Sequence, residues 1–253
     1  MTGSPAIVTD GLTKRYGETT AVANLALRVP TGVVYGFLGP NGAGKTTTMR
    51  MLTGLVEPSE GTAEVAGIDS SDRHQLVDRI GLLPEEPPLY EELTGREQLQ
   101  FAADLRDIPF ERVADRALGL CEQLGLTEDL DRRVDGYSKG MRQKTAFVQA
   151  VQHDPAVVFL DEPTSGLDPR AAKTLRELIV DLAAEDTTVF LSTHILPVVE
   201  EIADEVGVLH DGRLVAEGPP GELIGSVESE GDADLEDAFL ALTSEPGEAY
   251  ATE

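Results

Sequence analysis

Gly39-Pro40-Asn41-Gly42-Ala43-Gly44-Lys45-Thr46 decides the reading of this chain of 253 residues. The stretch fits G-x-x-x-x-G-K-[ST], a loop that cradles nucleotide phosphates. Glycines at 39, 42 and 44 let the backbone approach a polyphosphate with no Cβ in the way. The loop amides, with Asn41 and Ala43 between the glycines and Thr47 just beyond, then form a nest for anions. A helix starting near Lys45 adds its positive end. Lys45 is placed to reach the β- and γ-phosphates, and the Thr46 hydroxyl to bind Mg²⁺. The flanks agree. Val33–Leu38 reads as a buried strand running into the loop, and Thr47–Leu55 as a helix leaving it.

Outward from the loop, residues 6–38 alternate short β-like runs (Ile7-Val8, Ala21-Val22, Leu25–Val29) with Gly or Pro turns. Gly61–Gly67 and Arg79–Pro84 read as further strands. The pattern then turns helical over Thr94–Leu105 and Phe110–Leu124, with Thr94 and Glu97 spaced as a capping box. Another helix should begin at Ser138. Val157–Leu160 and Thr188–Ser192 are uninterrupted apolar runs, as expected of parallel strands buried on both faces, with a helix over about 169–184 between them. Val206–Leu209 and Arg213–Ala216 form a hairpin around His210-Asp211-Gly212. Asp234–Leu242 reads as one amphipathic helix, and the residues from Ser244 as disordered. The expected architecture is α/β: a P-loop core with a mainly parallel sheet, an N-terminal antiparallel β subdomain and an inserted α-helical subdomain. Residues 5–220 would form the nucleotide-binding domain, with the helical part at about 86–150. Residues 221–253 would be an acidic extension with a short helix at about 234–243.

Bulk composition narrows the partners. There are 46 acidic against 20 basic residues, a formal net charge of −26. So acidic a surface repels nucleic acid and anionic lipid. Residues 1–60 carry five basic and four acidic side chains, so the excess lies downstream, scattered over many segments. That distribution favours adaptation to a very salty cytoplasm over a single acidic partner-binding tail. No run approaches membrane-spanning length, and Met1–Pro5 shows neither a basic start nor an apolar stretch, so a cytoplasmic protein is expected. Cys121 is the only cysteine and lies in a helical apolar pattern, which reads as a buried small side chain rather than a reactive thiol.

Two further motifs carry chemistry. Val157-Val158-Phe159-Leu160-Asp161-Glu162 is an apolar strand ending in two acids. Beside a P-loop, Asp161 is placed to hold Mg²⁺ through water, and Glu162 to polarise an attacking water. Tyr137-Ser138-Lys139-Gly140-Met141-Arg142-Gln143-Lys144 sets a serine and a glycine at a helix start, where hydroxyl, amide and dipole make an anion site. The order is P-loop, helical insertion, Tyr137–Met141, Leu160-Asp161-Glu162-Pro163, Ser165-Gly166-Leu167-Asp168, then His194. Together these resemble the ATP-binding subunit of ABC transporters over residues 5–243.

The resemblance implies an ATPase with ATP and Mg²⁺ as cofactors. Tyr16, in Lys14-Arg15-Tyr16-Gly17, would stack on adenine. Ser138 and Gly140 would contact the γ-phosphate of a nucleotide held by a second subunit, with Asp168 near that interface helping to position the attacking water. His194 would sense the γ-phosphate. One chain holds one P-loop and one signature, so a complete site would need a dimer, either homodimeric or with a sibling ATPase subunit. The driven partner would be a membrane permease on a separate chain, with this subunit peripheral at the cytoplasmic face of the cell membrane. Two departures stand out. Glu85-Glu86 stands where the family has a glutamine; Glu85 keeps a hard oxygen for the metal. Lys139 and Met141 replace the commoner Gly and Gln, leaving Lys139 either as charge near the partner's phosphates or as a solvated side chain. These variants, with the ending Leu235–Leu242, resemble the branch paired with ABC-2 type export permeases. The competing reading is a soluble ABC-type ATPase acting as an assembly or regulatory module. A nucleic-acid ATPase is disfavoured by the charge and the lack of a coiled-coil insertion. His74, His153 and His210 match no motif.

Overall fold

The structure, a computed structural model, describes residues 4–226 and 233–243. Two long strands, β1 (Ile7–Tyr16) and β2 (Thr19–Val29), open the chain, and β3 (Val34–Leu38) leads to α1 (Lys45–Leu52). β4 (Glu60–Val65), β5 (Ile68–Asp69), α2 (Arg73–Leu76) and β6 (Ile80–Leu83) follow. The helical stretch holds α3 (Gly95–Asp104), α4 (Ala114–Gln123) and α5 (Lys139–Val151). Then come β7 (Val157–Asp161), α6 (Pro169–Ala184), β8 (Thr188–Ser192) and α7 (Leu196–Ile202). β9 (Glu205–His210), β10 (Arg213–Gly218), α8 (Pro220–Gly225) and α9 (Leu235–Thr243) complete it.

The strands form two sheets. One is antiparallel, in the order β2-β1-β4-β5; the other is β10-β9-β3-β8-β7-β6, parallel except for the β9–β10 pair. The expected α/β architecture is therefore present. Every residue of β3, β7 and β8 is buried, which is why these strands read as unbroken apolar runs. Alternate residues serve two cores. Tyr35, Phe37, Phe159 and Phe190 face the antiparallel sheet, with Phe190 ring centroids 5.0–5.6 Å from the other three. Val34, Leu38, Val158, Leu160, Val189 and Leu191 pack with α5, α6 and α7 on the other face.

Local chemistry sets the helix starts. Thr94 Oγ1 accepts from the Glu97 amide while the Thr94 amide donates to Glu97 Oε2, the predicted capping box. Asp168 caps α6 with Pro169 at its first position, a proline site that sacrifices no helical bond. Other boundaries differ from expectation. The short runs of residues 6–29 are one long hairpin, whose alternation is broken by register shifts between Thr9 and Leu12 and again near Lys14. α1 begins at Lys45 and ends at Leu52, short of the expected Leu55. The predicted helix from Phe110 is a 3₁₀ turn, Phe110–Arg112, followed by α4. Cys121 is buried as expected, and burial pushes its thiol up to about 11. α9 buries Leu235 and Ala238. The predicted disorder from Ser244 lies outside the described residues. Among the described residues no helix is long and apolar enough to cross a membrane.

Candidate functional site

β3 delivers residues 39–46 to the carboxyl edge of the parallel sheet, where open α/β sheets bind ligands. The loop is wedged between two carbonyls. A Cβ on Gly39 would run into the carbonyl of Leu209; one on Gly44, at φ +106°, would run into that of Ala21. Backbone bonds complete the wedge, from Gly212 to Ala43 at 3.0 Å and from Ala23 to Gly212 at 2.8 Å. Asn41 and Gly42 lie exposed at the tip, Ala43 is buried and Thr47 half-buried. Gly44 is the N-cap of α1 and has no side chain to satisfy the first-turn amides. A helix start of this kind suits an anion. Lys45 Nζ donates to the carbonyls of Gly39 at 2.6 Å and Pro40 at 3.2 Å. Burial lowers its pKa, opposed by the negative charges of Glu162, Asp161 and Glu85.

β7 ends at the same edge. Asp161 is 6% exposed, and Thr46 Oγ1 donates to its Oδ2 at 3.3 Å. Burial raises the Asp161 carboxyl above its usual range. Next to it, Glu162 adopts φ +48°, a left-handed conformation costing a non-glycine residue about 1 kcal/mol or more. Its side chain is fully engaged. Thr193 Oγ1 donates to Oε2 at 2.8 Å, and the His194 amide to Oε1 at 2.9 Å. His194 Nδ1 lies 2.7 Å from Oε1, so the tautomer carrying its proton on Nδ1 donates there. The Glu162 amide donates to the Ser192 carbonyl at 2.8 Å, anchoring the residue to β8.

A cavity of about 370 Å³ opens beside this cluster, bordered by Thr46, Arg50, Leu55, Glu85, Glu86 and Asp161. The chemistry of these donors, a hydroxyl and carboxylates, fits a hard divalent cation such as Mg²⁺. Among the described residues no three imidazole, thiol or carboxylate groups converge as a metal cage. A cation here would complete its shell from phosphate oxygens and water.

The other predicted residues stand apart from this cluster. Tyr16 is half exposed at the end of β1, paired across the strand with Thr19, and Lys14 Nζ sits 5.2 Å from its ring centroid. Ser138 is exposed and caps α5, accepting from the Met141 amide at 3.2 Å. A Cβ on Gly140 would sit 3.1 Å from the Gly166 carbonyl. Lys139 Nζ donates to Ser165 Oγ at 3.0 Å, and its stem covers the face of Gly166. Neither expectation for Lys139 included this bond. Asp168 accepts from the amides of Ala171 and Arg170, and those bonds, Ala171 first, lower its pKa. Among the described residues no hydrogen bond joins Ser138, Gly140 or Asp168 to Lys45, Thr46 or Asp161. One link between the two groups is absent from the sequence reading. Buried Gln143 donates through Nε2 to the carbonyls of Glu162 at 3.3 Å and Pro163 at 3.2 Å. Its only signal in the sequence is its place on the helix face of Lys139, four residues on.

Comparison with known proteins gives a consistent picture. The sequence model for ABC transporters matches residues 22–165. The bacitracin transport ATP-binding protein BcrA of Enterococcus faecalis is 42% identical over 213 residues, 83% of this chain and 68% of that protein. The daunorubicin/doxorubicin resistance ATP-binding protein DrrA of Streptomyces peucetius is 42% identical over 225 residues, 88% of this chain and 68% of its own. A solved ATP-binding subunit of an ABC transporter superposes with a TM-score of 0.88 at 31% identity, covering 94% of this chain and all of that one. A dimeric bacterial ABC transporter cassette superposes with a TM-score of 0.77 at 25% identity, covering 84% of this chain and 98% of that one.

Proposed function

The chain belongs to the ABC transporter family as an ATP-binding subunit with ATPase activity, and we propose that the cluster around Lys45, Thr46, Asp161 and Glu162 binds and hydrolyses the ATP. The observation that carries this reading is the convergence of P-loop, buried aspartate and strained, histidine-tethered glutamate on one sheet edge. The loop amides from Gly39 to Thr47 cradle the phosphates, and Lys45 turns from its carbonyl partners to the β- and γ-oxygens. Thr46 and Asp161, with Glu85 across the cavity, would hold Mg²⁺, which would screen the phosphate charge. Glu162 accepts a proton from the attacking water, and His194 orients its carboxylate. Tyr16 stacks on the base from the exposed end of the β1–β2 hairpin.

ABC cassettes form dimers and work with permease subunits of transporter complexes. In this chain the exposed Ser138 and the half-buried Gly140 would serve a nucleotide on a second cassette, in the simplest assembly another copy of the chain, with Asp168 at the seam. The permease would be a separate membrane chain, placing the subunit at the cytoplasmic face. Export is favoured by the signature variants and by relatives that include a drug resistance protein. We also propose that the scattered acidic excess suits high salt; a fold that survives removal of KCl unchanged would count against it. The central test is a pair of variants. Glu162→Gln should retain ATP binding while hydrolysis slows about 10²- to 10⁴-fold. Lys45→Ala should lose nucleotide affinity. Normal turnover by Glu162→Gln would remove Glu162 as the base.

A further inference from the structure

We infer that Gln143 is a positioning residue for hydrolysis, holding the backbone of Glu162 in the conformation that aims its carboxylate. Glu162 sits at φ +48° without the freedom of glycine, so something must hold it there. From the β8 side, its amide is tied to Ser192 and its carboxylate to Thr193 and His194. Its carbonyl accepts from the Ser165 amide within the turn and, among the side chains of the described residues, from Gln143. The Gln143 amide is 1% exposed, and its two N–H groups match two adjacent carbonyls, those of Glu162 and Pro163. Without these donors, the Glu162 carbonyl would keep only the Ser165 amide, at 3.0 Å, and the Pro163 carbonyl would lose its side-chain donor, leaving the buried turn after Glu162 less firmly held.

The same helix face grips the segment further along. Lys139 and Gln143 are one helical turn apart, with Gly140 between them. Gln143 holds residues 162 and 163, Lys139 bonds to Ser165, and Gly140 lies against Gly166. The first turns of α5 therefore track the chain from Glu162 to Gly166. Ser138, which caps that helix, is mechanically connected to Glu162 through Gln143. An event at the exposed helix start would reach the glutamate by this route.

This inference rests on Glu162 acting as the base, and the test separates the two. Purified chain is assayed for steady-state ATP hydrolysis with Mg²⁺, alone and with Glu162→Gln, Gln143→Leu, Gln143→Glu and each double variant. Gln143→Leu keeps the volume but loses both donors; Gln143→Glu keeps the shape and turns an oxygen toward the carbonyls. Both should lower kcat about 10- to 100-fold, the scale of a small misplacement, with KM for ATP within about twofold. In the Glu162→Gln background neither should cause a further loss, because both act through one group. Unchanged kcat in Gln143→Leu and Gln143→Glu, with Glu162→Gln crippled, would overturn the inference alone. So would losses that multiply in the double variants or that follow a raised KM. Normal turnover by Glu162→Gln would overturn the reading of Glu162 and this inference with it.

Discussion

The sheet edge that carries Lys45, Thr46, Asp161 and Glu162 and the helix start that carries Ser138 and Gly140 are built to opposite plans. At the sheet edge the lysine and both acids are buried and bonded to one another's surroundings, with Asp161 6% and Glu162 9% exposed. At the helix start Ser138 faces solvent, and among the described residues its hydroxyl serves only as a cap, accepting from the Met141 amide. The first region has its bonds within one chain; the second, on the proposed reading, serves a nucleotide held by another. A group preorganised by burial can do chemistry, whereas an exposed, uncommitted anion site needs a ligand brought to it. The contrast explains how a P-loop and a signature can share one chain without meeting in it, and why a second cassette is proposed to join them.

The largest expected effect separates the two regions. Ser138→Arg should block the exposed half-site, lowering ATPase turnover about 10²- to 10³-fold, the scale of removing one transition-state donor. Equilibrium ATP binding to the isolated chain should stay within about twofold. If affinity for ATP in the monomer fell as far as turnover, Ser138 would belong to the same site as Lys45 and the contrast would collapse.

Asp161→Asn probes the opposite plan through stability. Burial raises the Asp161 carboxyl, so the folded state holds that proton at pH values where the unfolded chain has released it. The stability linked to this group is full below the unfolded value of 3.8 and is lost as pH rises through the higher folded value. At neutral pH, Asp161→Asn should therefore have a higher Tm than the parent while losing hydrolysis. The Tm difference should shrink as pH falls from neutral through the folded value toward 3.8, and stay level below it. An equal or lower Tm at pH 7 would show that the carboxylate is not strained by its site. The smallest effect is expected at Lys139. Lys139→Met keeps the stem over Gly166 and loses only an exposed bond to Ser165, about 0.5–1 kcal/mol in thermal or urea unfolding.

Much of this was legible in the residues. The P-loop, the strand ending in Asp161-Glu162, the Thr94–Glu97 capping box and the helix over residues 169–184 all rest on local rules of spacing, caps and periodicity. Elements that depend on tertiary context were harder to read. β1 and β2 looked fragmentary because register shifts break their alternation. The seven-residue α7 is too short for its period to show, and its first turn contains Pro197. In the site, motif spacing named Glu162 and His194 but not the left-handed φ that joins them. Gln143 was invisible because an amide in a polar helix turn has no distinctive type; only its depth and two carbonyl partners reveal it. Lys139 offered two readings, and the bond to Ser165 belonged to neither because it spans 26 residues of sequence.

The most direct test of a divided site is the mass of Glu162→Gln in solution, followed by light scattering as ATP and Mg²⁺ are added. The account predicts a shift from 27.1 kDa to twice that mass, reversed by Ser138→Arg placed in the same chain. A Glu162→Gln chain saturated with ATP that stays at 27.1 kDa, while the parent hydrolyses ATP as a monomer at the same concentration, would contradict it.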